Sequence, residues 1–127
     1  MTLGLQQANR SLPLGINFSC LILLIIGRRK KCLVEGNSMA PTINKGDFVV
    51  YKPYEQSDRN LLTGSIVISE HPLIENYLII KRIYKQEEKG VLLVGDNYQE
   101  SSDSRDFGLI NYNQLIGIAE RIIPNSY

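Results

Sequence analysis

From Lys31 onward apolar and polar positions alternate in runs of four to eleven residues, and this two-residue period predicts β-strands. Candidate strands cover residues 31–35, 47–51, 65–69, 76–86, 91–94 and 114–123. Between them stand turn formers: Asn44-Lys45-Gly46-Asp47, Thr63-Gly64, His71-Pro72, Lys89-Gly90 and a polar loop over 95–108. Helix-period segments are scarce and no repeat occurs, so the expectation is a mainly β domain.

The first thirty residues differ in character. An apolar stretch over 12–27, broken by Asn17 and Ser19, runs straight into Arg28, Arg29, Lys30 and Lys31. The pattern therefore divides the chain into an N-terminal hydrophobic and basic segment, 1–30, and a domain, 31–127. The stretch is shorter than the ~20 apolar residues that cross a bilayer as a helix. A segment that does insert keeps its basic flank in the cytoplasm, which would leave the domain there too. A cleaved secretory signal fits poorly, since Arg10 is the sole charge before the apolar run and no small-x-small site follows it. The competing readings are a hydrophobic helix or strand packed on the core and an N-terminus translated from an upstream start. The expectation is a cytoplasmic protein, with membrane association through residues 12–27 as the alternative.

Composition narrows the chemistry. A length of 127 residues suits one domain. Fourteen Lys and Arg against thirteen Asp and Glu give a formal charge of +1, without the basic excess that binds nucleic acid. Two cysteines, Cys20 and Cys32, are too few for a disulfide scaffold and read as free thiols. With a single histidine, His71, no His-rich metal site can form, and hydrolytic chemistry needs another base.

Three segments carry candidate chemistry. In Gly36-Asn37-Ser38-Met39-Ala40-Pro41-Thr42 a serine follows a predicted strand, and Pro41 restricts Ala40 to extended backbone, so Ser38 sits in a defined turn. Such a turn can present a hydroxyl and a backbone N–H together, or the serine can simply bond its own backbone. In the 76–86 strand, alternation places Lys81 on one face with Ile79 and Ile83. Burial among hydrocarbon lowers a lysine pKa and makes the neutral amine a base for a hydroxyl; the other reading has the amine snorkelling to solvent. The 95–108 loop offers hydroxyls that could orient that amine, and Asp103 with Arg105 reads as a local ion pair.

Together, Ser38-Met39-x-Pro41-Thr42, Gly46-Asp47, Lys81-Arg82, Gly95-Asp96-Asn97 and Ser101-x-Asp103-Ser104-Arg105 with Gly108 resemble the successive boxes of signal peptidase I. The resemblance spans about Lys31 to Pro124. It implies a small signal-peptidase/LexA-like β-barrel-type core, Ser38 as nucleophile, Lys81 as general base and Ser101 as the hydroxyl that positions the amine. It further implies that the Ser38 N–H belongs to the oxyanion hole, that Asp96, Asp103 and Arg105 are structural support, and that no metal or cofactor is needed. Gly36 stands where many relatives have a serine donor. Met39, Pro41 and His71 are candidates to line the substrate groove. The near-minimal core, His71-Pro72 and Asp103-Ser104-Arg105-x-Phe107-Gly108 resemble the subgroup that matures nickel-containing superoxide dismutase. The implied partner is therefore a protein precursor with an N-terminal extension.

Three rivals stand beside this reading. An export signal peptidase anchored by residues 12–27 conflicts with the basic run after them. A self-cleaving regulator of the LexA type should carry an Ala-Gly or Cys-Gly bond, and no alanine or cysteine precedes a glycine here. The third rival is a catalytically silent binding module.

Overall fold

β-Branched and aliphatic residues in alternation produce strands close to where the pattern places them. The computed structural model describes residues 17–18, 20–26, 28–56 and 61–125. Its strands are β1 (Asn17–Phe18), β2 (Cys20–Ile26), β3 (Arg29–Val34), β4 (Phe48–Pro53), β5 (Ile66–Glu70), β6 (Tyr77–Gln86), β7 (Gly90–Val94), β8 (Ile110–Asn111) and β9 (Leu115–Ile123). Helix among the described residues amounts to one turn, α1 (Ser104–Phe107), and two 3₁₀ turns, Tyr98–Glu100 and Tyr112–Gln114. The six predicted strands correspond to β3, β4, β5, β6, β7 and β9.

All strands join one sheet, ordered β2-β3-β4-β9-β5-β6-β7-β8, and β1 pairs with β6 in parallel while the other pairings are antiparallel. Only one residue separates β1 from β2, so pairing β1 with β6 brings the β2 edge round toward the middle of the sheet. The sheet rolls up, which is the expected mainly β, barrel-type core.

Rolling creates two apolar clusters. One joins Cys32, Val34, Met39, Ile43, Val49, Tyr51, Ile68 and Ile80; the other joins Leu61, Val67, Ile83, Val91, Leu93, Ile110 and Leu115. Neighbours in sequence divide between them: Val67 faces one and Ile68 the other. β5 and β6 are thus covered on both faces, which is why their sequences read as nearly continuous apolar runs.

Two expectations are corrected. The described part of the 12–27 stretch is strand rather than helix, because its backbone groups pair with β3 across a hairpin. No described helix is long and apolar enough to cross a membrane. Cys32 is disulfide-bonded rather than a free thiol, and it is fully buried. The count of cysteines carried no information about strand register, and register is what sets a bridge; the side chain of Cys20 lies outside the described residues.

Tyr51 tests the first cluster. Its ring is fully buried, its hydroxyl has no hydrogen-bond partner among the described residues, and burial raises its pKa. Removing an unsatisfied buried hydroxyl relieves a desolvation cost. Tyr51→Phe should leave urea-unfolding stability unchanged or raise it by about 1 kcal/mol, whereas a comparable loss would mean that the hydroxyl is bonded.

Candidate active site

The turn after β3 is pinned from inside. Met39 and Ile43, both fully buried, anchor it on either side of Pro41, and the Ile43 N–H donates to the Met39 carbonyl (2.9 Å). The Ala40–Pro41 peptide is cis. From outside, the segment after β7 clamps the same turn: the Asn97 N–H donates to the Ser38 carbonyl (2.9 Å), and Asn97 Nδ2 to the Asn37 carbonyl (3.1 Å). Asp96 carries the clamp further. It accepts from Thr42 Oγ1 (2.6 Å) and from Arg82 Nε and Nη2 (2.9 and 2.7 Å), tying the turn to the residue beside Lys81. The Arg82 hydrogen bonds hold the Asp96 carboxyl below its ordinary pKa; partial burial opposes this and the Thr42 bond adds to it.

Gly95 is glycine for want of space. A Cβ there would stand 2.2 Å from Ser101 Oγ and 2.6 Å from the Ser38 carbonyl oxygen, closer than real contacts allow. The absent side chain lets the Ser38 turn and Ser101 close around one point of backbone.

Lys81 arrives from β6 with only 4% of its surface exposed. Its Nζ donates to Ser101 Oγ (3.0 Å), and that hydroxyl donates to Asp103 Oδ2 (2.7 Å). With its proton committed to Asp103, Ser101 receives the lysine as a pure acceptor. A neutral amine can make this bond through one N–H and keep its lone pair free. Burial pushes the Lys81 pKa down to about 8; Asp103 opposes the shift, and Arg105 supports it. Asp103 itself is fully buried. It accepts from the Gly95 N–H (2.9 Å), the Arg105 N–H (3.1 Å), and Arg105 Nε and Nη2 (2.9 Å each). Burial alone would raise its pKa, but these bonds and that from Ser101 outweigh burial and hold the carboxyl well below the usual range. Because Arg105 neutralises Asp103, the carboxylate orients Ser101 without restoring the full charge of the lysine.

Ser38, half-buried, opens on a cavity of ≈ 250 Å³ that Lys81 also lines, together with Gly36, His71, Ile74, Tyr77 and Ile79. No hydrogen bond links Ser38 to Lys81 among the described residues; the shared cavity brings them together. A larger cavity of ≈ 630 Å³, bounded by Tyr54, Gln86 and Tyr112, contains no serine and no buried base. Chemistry rather than size marks the smaller one.

The structure gathers Ser38, Lys81, Ser101, Asp103, Arg105, Asp96 and His71 into one connected region. Two groove candidates are corrected. Met39 is 0% exposed, and its sulfur accepts from the Asp96 N–H (3.4 Å), so it anchors the turn from within. Pro41 is exposed and lies outside the cavity lining. The ion pair of Asp103 and Arg105 is half interior rather than a surface pair. Sequence reasoning missed Tyr77 among the lining residues, although it shares the face of Ile79 and Lys81 by alternation, and Ile74, which no periodicity marks. It also missed the Thr42–Asp96–Arg82 link, which joins three segments distant in sequence.

A rolled β domain in which a turn serine and a buried lysine share one cavity has the architecture of a serine peptidase. The chain belongs to the Peptidase S24-like family, whose profile matches residues 19–117 and so includes Ser38, Lys81 and Ser101. No curated protein matches the chain.

Two substitutions test the site's construction. Gly95→Ala should cost about 1–3 kcal/mol in urea unfolding by overpacking Ser101 and the Ser38 carbonyl; an unchanged midpoint would contradict the contact. Lys81→Met should stabilise. With a folded pKa of about 8 below the unfolded value, the charged lysine destabilises the fold by roughly 3 kcal/mol. That cost is fully present below about pH 8 and disappears as pH rises through the ordinary lysine range. The variant's gain should therefore be largest near pH 6 and vanish near pH 11, and a gain independent of pH would contradict the assignment.

Proposed function

We propose that the protein is a serine endopeptidase with Ser38 as nucleophile and Lys81 as general base. The observation that carries this reading is a lysine amine with lowered pKa, held by Ser101 and facing the same cavity as Ser38. Ser38 Oγ attacks the scissile carbonyl carbon while Lys81 Nζ takes its proton. The C–N bond then breaks, and the leaving amine takes that proton from Lys81. Water attacks the resulting ester, giving a proton to the Lys81 amine, and the ester C–O bond breaks as Ser38 Oγ takes that proton from Lys81. The Ser38 N–H, which has no acceptor among the described residues, is in this reading a donor to the oxyanion. Gly36 adds no side-chain donor. Ser101 and Asp103 orient the base, and Asp96 holds the nucleophile's turn against β6.

The finer reading is removal of an N-terminal propeptide, with the precursor of nickel-containing superoxide dismutase as the substrate to test first. The resemblance of the 101–108 box and of His71-Pro72 supports it, and a cytoplasmic location is part of the same reading. Nickel is in this reading the cargo of the substrate. One observation favours a second reading, an export signal peptidase acting outside the cytoplasm: the disulfide at Cys32, since such bonds persist in oxidising compartments.

Incubating the protein with a nickel dismutase precursor and with an export pre-protein, then sequencing the new N-termini, separates the two. Ser38→Ala and Lys81→Met should each lower cleavage by roughly 10²–10⁴-fold; unchanged processing by Ser38→Ala would refute the peptidase reading. In the parent enzyme kcat/KM should rise with pH through about 8, as Lys81 loses its proton.

A further inference from the structure

The connection between β5 and β6, residues 71–76, forms part of the wall of the cavity that Ser38 lines and contributes His71 and Ile74 to it. It is a hairpin loop closed by the His71 N–H on the Tyr77 carbonyl (2.8 Å), with Asn76 in the left-handed region (φ 58°). Inside that loop, Pro72 has no N–H to offer. The next two N–H groups, of Leu73 and Ile74, both donate to His71 Nδ1 at 3.0 Å. A side chain accepting from the second and third residues after it, with proline between, is the geometry of an N-terminal cap. Here an imidazole nitrogen replaces the usual oxygen.

Accepting two N–H bonds requires a bare lone pair, so the ring is the neutral tautomer protonated at Nε2. Packing fixes the ring as well: Phe107 of α1 meets it edge-on at 4.8 Å and Tyr77 of β6 at 5.6 Å. Leu73 and Ile74 are 77% and 47% exposed, apolar side chains that no core contact restrains fully. The imidazole cap is what fixes the backbone beneath them.

We propose that His71 is a positioning residue whose bare Nδ1 holds the β5–β6 wall of the cleft in its substrate-binding shape, so that the cleft is intact only while His71 is neutral. Protonation at Nδ1 replaces the acceptor with a donor, and the Leu73 and Ile74 N–H groups lose their partner together. The charged and titratable groups around the ring are Lys81 and Tyr77 on β6, Glu100 on the same cavity, Glu70 and Glu75 on a second cavity that His71 also lines, and Arg105 and Asp106 on α1, beside Phe107. Burial of the ring, then the charge of Lys81, holds His71 below the ordinary imidazole range, which keeps the cap made at neutral pH. The proposal rests on the cleft being the peptidase site, and its tests separate the two ideas.

A ¹⁵N NMR titration of the full chain needs no substrate. The Leu73 and Ile74 amide signals should move with the same midpoint as the His71 ring; amides that stay still while the ring protonates would overturn the proposal. Turnover provides the second readout. Asn presents an acceptor where Nδ1 lies and does not titrate, whereas Gln places its polar group at the Nε2 end. His71→Asn should keep KM within about threefold, while His71→Gln and His71→Ala should raise it roughly tenfold or more with kcat little changed. At acid pH the parent enzyme's log kcat/KM should steepen beyond slope one as His71 protonates, and His71→Asn should keep slope one. An Asn variant as impaired as the Ala variant, or still showing the steeper limb, would overturn the assignment. Loss of activity in Ser38→Ala bears only on the peptidase reading.

Discussion

Burying an amine among hydrocarbon is unfavourable as long as it carries a proton, and the arrangement around Lys81 is organised by that constraint. Ile79 and Ile83 flank it along β6, the rolled sheet covers it, and the single hydroxyl it touches has already given its proton to Asp103. A buried carboxylate one residue further along the chain of hydrogen bonds would ordinarily recharge a lysine. Arg105 prevents this by taking both oxygens of Asp103, so the carboxylate acts as an orienting group.

The nucleophile's position follows from a second network that meets the first at Gly95. Its N–H donates to Asp103, and its missing Cβ leaves room for Ser101 on one side and the Ser38 carbonyl on the other. The next two residues clamp the Ser38 turn, Asn97 through the Asn37 and Ser38 carbonyls, and Asp96 through Thr42. Asp96 also holds Arg82, whose neighbour in the chain is Lys81. One short stretch of backbone thereby sets the base, the hydroxyl that orients it and the turn bearing the nucleophile.

Much of this was legible in the sequence because it is local. Alternation marks six strands and puts Lys81 on the face of Ile79 and Ile83, and the spacing of Ser101, Asp103 and Arg105 lies within one loop. What the sequence does not carry is register. Strand pairing decides that Cys32 is bridged, that Asn17–Phe18 lies along β6, and that Asp96 meets Thr42, fifty-four positions away. Met39 shows the same limit from another side: being beside the nucleophile suggested a groove residue, while its turn points it into the core. The cap made by His71 depends on a loop shape that no periodicity encodes.

The chemistry turns on the protonation state of one side chain, and that can be read directly. A ¹³C NMR titration following the Lys81 Cε signal in the intact protein should give a midpoint near the value of about 8 that burial imposes. A midpoint in the ordinary lysine range would contradict the account, since the neutral fraction able to accept the serine proton near pH 7 would then be smaller by more than a hundredfold.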